Sequence, residues 1–382
     1  MAKARADGAT VTFRVPDPGY RLAGVRLHQD VRNPGDQLDF RPATEDGENG
    51  QNGEDGQNGQ DGWELTIGQP PVTRMEYLLE LRYRDGGAET VTDPGNPRQV
   101  DGAFGPKSVL EFAAYRPPGW LNAAAVPARQ TAFAVPADPL DGPLDGAIAV
   151  RTWAPADASD DEVLPLLVVH DGPEYDTLAD LTGYLAAREA GRWLPRLRAA
   201  LLGPGSRDDW YSANPRYAEA LATQVIPELD ARLVTSVRIG MGTSLGGLAM
   251  LHAHCSDPGT FAGLFMQSGS FFSPRFDGHE SWLKHYPRIV AFVAGVHRAG
   301  QHRAGQHRAG QHRGDLPGRP IPTVLTCGAI EENLPGNRLM EQSLRKLQYP
   351  VELHELPDVH NYTAWRDGFD PQLTRLLNRV CG

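Results

Sequence analysis

The stretch VRIGMGTSLGGLAMLHAHC sets Gly242-Thr243-Ser244-Leu245-Gly246 between an apolar strand-like run and a helical one. A serine in G-x-S-x-G at such a junction must occupy a very tight turn. Glycines two residues to either side remove the Cβ atoms that would collide there. The turn exposes the hydroxyl and aims the free N–H groups of the following helix at one point. Ser244 is therefore the candidate nucleophile, and the N–H of Leu245 the candidate donor to an oxyanion. The bare pattern also suits a glycine-rich turn with an idle serine; the strand before it and the helix after it favour chemistry.

A serine of ordinary acidity needs a base, and the base needs a third group to orient it. Where this kind of elbow is used, the chain order is serine, acid, histidine. PTVLTCG runs into Ala329-Ile330-Glu331-Glu332, and VELHELP runs into Asp358-Val359-His360, so both segments place suitable groups just past a strand end. The spacing predicts His360 as base and Glu331 as its partner. Glu332 is the rival acid, and either glutamate could instead cap the helix beginning near Asn337. His354 is the rival base, but it lies inside a strand. A second oxyanion donor is expected after VLPLLVV, in His170-Asp171-Gly172-Pro173-Glu174-Tyr175. Proline cannot donate there, which leaves the N–H of Gly172 or Glu174.

These residues need a scaffold that brings several loops together. From residue 146 onward short apolar runs alternate with helical ones: VLPLLVV, RLRAALLG, VTSVRIGMG, FAGLFMQ, PTVLTCG and VELHELP are strand-like. PRYAEALATQVIPELDARL, with Asn214 placed to cap it and Pro215 at its first position, and NRLMEQSLRKLQ are helical. This alternation predicts a mostly parallel sheet covered on both faces, an α/β domain over 146–382 with its chemistry at the carboxyl ends of the strands. Residues 1–120 instead carry β-formers separated by Gly, Pro and Asp turns (VTFRVP, AGVRLHQD, WELTIG, MEYLLELRYRD), which predicts an all-β sandwich. The Pro- and Ala-rich stretch 121–145 reads as a linker between the two.

The net charge of −11 argues against a general binder of nucleic acid or anionic membranes. No apolar leader or long apolar run is evident, and the expected setting is cytoplasmic. Cys255, Cys327 and Cys381 form no CxxC and are expected to be reduced structural thiols. The acidic run EDGENGQNGEDGQNGQDG (45–62) does not match a calcium loop: Glu48 follows Asp46 by two, and Gln57 follows Asp55 by two. The tandem HRAGQHRAGQHRAGQHRG (297–314) carries His297, His302, His307 and His312. A five-residue period puts these rings on one face of neither a helix nor a strand. The repeat therefore reads as an expanded surface loop, and neither a metal nor a cofactor is expected.

At these positions the sequence resembles the enterochelin (ferric enterobactin) esterase family of α/β-hydrolases. VVHDGPEY is similar to that family's strand and DG loop, and GTSLGGLAML with FAGLFMQSGSFF to its nucleophile region. HNYTAWRDGF (360–369) is similar to its histidine loop. RDDWYSANPRY (207–217) is similar to its R-x-x-E segment, departing at Asp209-Trp210. EYLLELRYRDG, DPGNP and GAFGPKSVLEF resemble the immunoglobulin-like domain that precedes the hydrolase. GAIE (328–331) matches the family's G-x-x-E/D segment, which favours Glu331 over Glu332. The resemblance implies hydrolysis of ester bonds in a cyclic or linear catecholate siderophore, releasing iron inside the cell. The partner would be a small-molecule ester, a ferric siderophore. On that footing Arg207 and Arg366 are expected either to contact the anionic complex or to be structural, and Trp365 either to line the cleft or to pack the histidine loop. The alternatives are another carboxylesterase of feruloyl type, an acyl transferase on the same scaffold, and a non-catalytic binding protein.

Overall fold

The computed structural model describes residues 3–6, 8–31, 37–43, 61–137, 146–305 and 318–382. Residues 45–60 of the acidic run, and His307 and His312 of the repeat, lie outside the described residues. The chain divides into two units, Met1–Arg116 with Pro357–Val359, and Pro117–Leu356 with His360–Gly382.

The first unit is built from β1 (Lys3–Ala6), β2 (Thr10–Pro16), β3 (Leu22–Gln29), β4 (Arg41–Ala43), β5 (Gly62–Gly68), β6 (Arg74–Tyr83), β7 (Ala88–Val91), β8 (Gln99–Gly102) and β9 (Gly105–Glu111). They form two antiparallel sheets, ordered β1-β2-β5-β4 and β3-β6-β9-β8, with β7 also paired to β6. Period-two patterning turns Val11, Phe13 and Val15 of β2 inward. Phe13 of one sheet meets Tyr77 of the other edge-on, with ring centroids 5.1 Å apart. Within this unit Arg74 is 2% exposed. Its guanidinium donates to Glu76 at 2.7 Å and to Asp358 at 2.9 Å.

The second unit holds β10 (Ala128–Pro136), β11 (Ala147–Pro155), β12 (Leu164–Val169), β13 (Arg198–Leu202), β14 (Thr235–Thr243), β15 (Gly263–Gln267), β16 (Thr323–Gly328) and β17 (Val351–Leu356). Their order across one sheet is β10-β11-β13-β12-β14-β15-β16-β17. The β10/β11 and β11/β13 pairs are antiparallel and the rest are parallel. The helices are α1 (Gly172–Ala179), α2 (Leu181–Ala190), α3 (Arg207–Trp210), α4 (Pro215–Ala220), α5 (Ile226–Arg232), α6 (Leu245–Ser256), α7 (Tyr286–Gly305), α8 (Leu334–Lys346), α9 (Tyr362–Asp367) and α10 (Thr374–Cys381). As Asn214 and Pro215 predict, α4 starts there, the Asn214 side chain accepting from the N–H of Arg216.

Alternate residues of each central strand enter opposite cores. Leu166, Val168, Leu264 and Met266 pack on one face, while Leu167, Val169, Ile239, Met241 and Phe265 pack on the other. Burial on both faces explains why these strands read as continuous apolar runs.

Two sequence expectations change. The stretch 121–145 is not a plain linker, because β10 pairs with β11 along nine residues, from Ala128↔Pro155 to Pro136↔Ala147. As an edge strand it buries only Val135 fully, so it lacks the apolar run that marks a central strand, and its terminal Pro136 is tolerated. The first part of the HRAGQ repeat is helix rather than loop, since α7 continues to Gly305. Gly300 permits this: a Cβ there would lie 3.0 Å from the Ser343 carbonyl oxygen of α8. The His297 ring meets the Ser343 hydroxyl at 2.7 Å. No helix among the described residues is long and apolar enough to cross a membrane.

Replacing Arg74 by Met removes the counter-charge from two buried carboxylates. The expected cost is about 3–5 kcal/mol, read as faster exchange of the β6 amide hydrogens.

Candidate active site

Neighbouring strands each deliver one element of the site at their carboxyl ends. Ser244 follows β14, Ser268 follows β15, Glu331 lies three residues past β16 and His360 four past β17. On the other side of β14, β12 ends in His170-Asp171-Gly172.

Ser244 has φ 53 and ψ −123, a conformation that costs an L-residue energy and that the surroundings must enforce. A Cβ on Gly242 would lie 2.4 Å from the Gly246 carbonyl oxygen, so the turn closes only with glycine there. The Ser244 N–H donates to the Gln267 carbonyl at 2.9 Å, and the Ser270 N–H donates to the Ser244 carbonyl at 3.1 Å. Its hydroxyl lies 3.2 Å from that of Ser270. Leu245 opens α6, where helix geometry gives its N–H no intrahelical acceptor.

Glu331 is the carboxylate that meets the histidine. Its side chain is 1% exposed, and Oε2 lies 3.0 Å from His360 Nδ1. Oε1 accepts from the Gly328 N–H at 2.7 Å and the Ser268 hydroxyl at 2.8 Å. A carboxylate only accepts, so His360 carries its proton on Nδ1 and presents a bare Nε2. The His360 side chain is 38% exposed. Glu332 points elsewhere, to exposed His279 at 3.0 Å. His354 faces Glu352 on β17. Cys327 Sγ lies 3.5 Å from Glu331, and burial pushes its thiol well up. All three cysteines are free.

Trp365 is 5% exposed. It packs edge-on against His360, ring centroids 5.0 Å apart, and its indole N–H donates to Ser268 Oγ at 2.9 Å. It thus takes the packing alternative of the sequence reading. Arg366 pairs with its neighbour Asp367 at 2.8 Å.

The loop after β12 is clamped. Arg207 forks onto Asp171, Nε to Oδ1 at 2.8 Å and Nη2 to Oδ2 at 2.9 Å, so its guanidinium already holds a carboxylate. Burial works against its charge, but Asp171 more than compensates and holds Arg207 firmly protonated. Asp171 itself has φ 50. The buried ring of His170 lies 3.0 Å from the Gly246 carbonyl through Nδ1 and 2.9 Å from the Tyr217 hydroxyl through Nε2. The carbonyl can only accept, so Nδ1 carries the proton and Nε2 accepts from Tyr217. His170 therefore ties this loop to the helix behind Ser244. Gly172 opens α1, and a Cβ there would lie 2.4 Å from the Cα of Leu201 on β13, so packing requires the glycine.

The sequence alone does not separate Ser268 from the Q-S-G-S strand end or show that the Trp365 N–H reaches it. The signal was a strand-end serine one strand away from the nucleophile.

The arrangement can lower the barrier to acyl transfer: a half-buried hydroxyl on a strained turn, an oriented imidazole and helix-start N–H groups lie at the carboxyl ends of strands of one sheet. An eight-stranded, mostly parallel sheet with helices on both faces and a serine elbow after a central strand is α/β-hydrolase architecture. No family model matches the sequence, and none of the curated proteins does. Among solved structures the chain is similar to ferric enterobactin esterase from Salmonella typhimurium, at 19% identity and TM-score 0.71, over 100% of this chain and 97% of that one. It is also similar to the enterobactin esterase of Shigella flexneri in the presence of enterobactin, at 19% identity and TM-score 0.70, over 99% and 95% of the two chains. A ferulic acid esterase matches 67% of this chain and 98% of its own at 16% identity and TM-score 0.50. The chain thus shares the fold of these esterases, with the first two over essentially its whole length.

Burial lowers the pKa of His170 to about 4 from the ordinary 6.5. Between those values the unfolded chain binds a proton that the folded one does not. Stability is therefore full above 6.5 and falls as pH drops towards 4. The loss reaches up to about 1.4 kcal/mol per pH unit. Denaturant titrations across this window should show the fall, and His170→Gln should make it shallower.

Proposed function

We propose that this chain is a serine esterase that cleaves the ester bonds of a catecholate siderophore. The observation that carries the catalytic part is the buried Glu331 carboxylate 3.0 Å from His360 Nδ1, in the same set of strand ends as the strained Ser244. Ser244 Oγ attacks the ester carbonyl while His360 Nε2 takes its proton. Glu331 stays ionised, accepts the hydrogen bond from Nδ1–H throughout and stabilises the imidazolium. The oxyanion rests on the N–H of Leu245, with that of Gly172 or Glu174 as second donor. Collapse breaks the ester C–O bond, His360 protonates the departing alcohol, and water then resolves the acyl-enzyme by the same proton path.

The siderophore assignment draws on the sequence resemblance and on the shared fold. Its substrate would be a ferric or iron-free catecholate ester, opened in the cytoplasm so that iron can leave. The two antiparallel sheets of the first unit agree with an immunoglobulin-like module. With Arg207 committed to Asp171 and Arg366 to Asp367, contact with an anionic substrate by either side chain would be shared with its carboxylate partner.

Two experiments test the two parts. Glu331→Gln should lower kcat on the order of a thousandfold on any ester. Glu332→Gln should stay within about twofold, as a surface substitution does. Hydrolysis of catecholate trilactones, with and without iron, should exceed that of feruloyl and simple acyl esters in kcat/KM. The reverse order would move the substrate to the feruloyl class while leaving the mechanism intact.

A further inference from the structure

We propose that Trp365 and Ser268 form a one-directional hydrogen-bond relay that fixes Glu331 and, through it, the ring of His360. This rests on the esterase reading and adds two positioning residues to it.

The direction follows from donor chemistry. An indole N–H can only donate, so its 2.9 Å contact uses a lone pair of Ser268 Oγ. The hydroxyl proton of Ser268 is then free to point at Glu331 Oε1, 2.8 Å away. With the Gly328 N–H on the same oxygen at 2.7 Å, Oε1 is fully engaged, and Oε2 is left to face His360. The carboxylate therefore cannot rotate without breaking two donor contacts. The tryptophan is itself held: Gln267 Nε2 donates to its carbonyl at 3.0 Å, and the Tyr175 hydroxyl donates to Gln267 Oε1 at 2.9 Å. Its ring also backs His360 edge-on. Ser268 is kept at φ 49, an unfavourable conformation for serine, by its N–H to the Thr326 carbonyl and by Asn333 Nδ2 on its own carbonyl. The strain at Ser268 is accounted for if its hydroxyl must meet one carboxylate oxygen.

The test is a double-mutant cycle on p-nitrophenyl acetate, a small neutral ester. Trp365→Phe keeps the ring and removes the N–H; Ser268→Ala removes the hydroxyl. Each should lower kcat by on the order of tenfold, the worth of a hydrogen bond to a charged group, with KM unchanged. The double variant should be no slower than Ser268→Ala alone, because the relay is already cut. Circular dichroism and thermal melts confirm folding. Should Trp365→Phe not fold, the kcat-against-KM split of Ser268→Ala decides. Unchanged kcat in either folded variant, a rise in KM instead, or multiplicative losses in the double would overturn the relay while the esterase reading stands. A wild-type protein without hydrolytic activity on this or any catecholate ester would remove both.

Discussion

A carboxylate with a side chain 1% exposed is the constraint on which the rest of the site depends. Glu331 in that position would be strongly disfavoured as an anion unless donors replaced the water it has lost. It has them in the Gly328 N–H, the Ser268 hydroxyl and the Nδ1–H of His360. Each comes from a separate segment, so the ion can be buried only when β15, β16 and β17 have paired in register. Meeting the carboxylate's hydrogen-bonding needs and orienting the His360 imidazole are the same structural act.

The same economy governs the other end of the site. His170 is buried and neutral, and it joins the loop after β12 to the carbonyl of Gly246, the second residue of α6. Asp171 is held by the guanidinium of Arg207. The N–H groups of Gly172 and Leu245 therefore belong to two helix starts whose spacing is set by one imidazole and one ion pair. Preorganised donors of this kind stabilise a developing oxyanion without moving during the reaction.

Much of this was legible in the residues. The elbow, the strand alternation and the order Ser244, Glu331, His360 could be read because they depend on local turn chemistry and on periodicity, both of which are written along the chain. Arg207 was harder: a charged residue near a site reads as a ligand contact, and only the fold shows a buried aspartate 36 positions earlier already in its fork. Strand β10 hid because an exposed edge strand needs no apolar run. The HRAGQ repeat misled for a related reason. Its glycines weaken a helix in isolation, yet Gly300 is what lets α7 approach α8 closely.

The proposed role of Ser244 as an activated nucleophile gives its strained turn, its helix-start N–H groups and the Glu331–His360 pair a common purpose. Treating the native protein with a fluorophosphonate and mapping the adduct by peptide mass spectrometry tests it most directly. Stoichiometric modification of Ser244, abolished by Ser244→Ala and greatly slowed by His360→Ala, is the expected result. A native protein that remains unlabelled, or one labelled equally well in the Ser244→Ala variant, would contradict it.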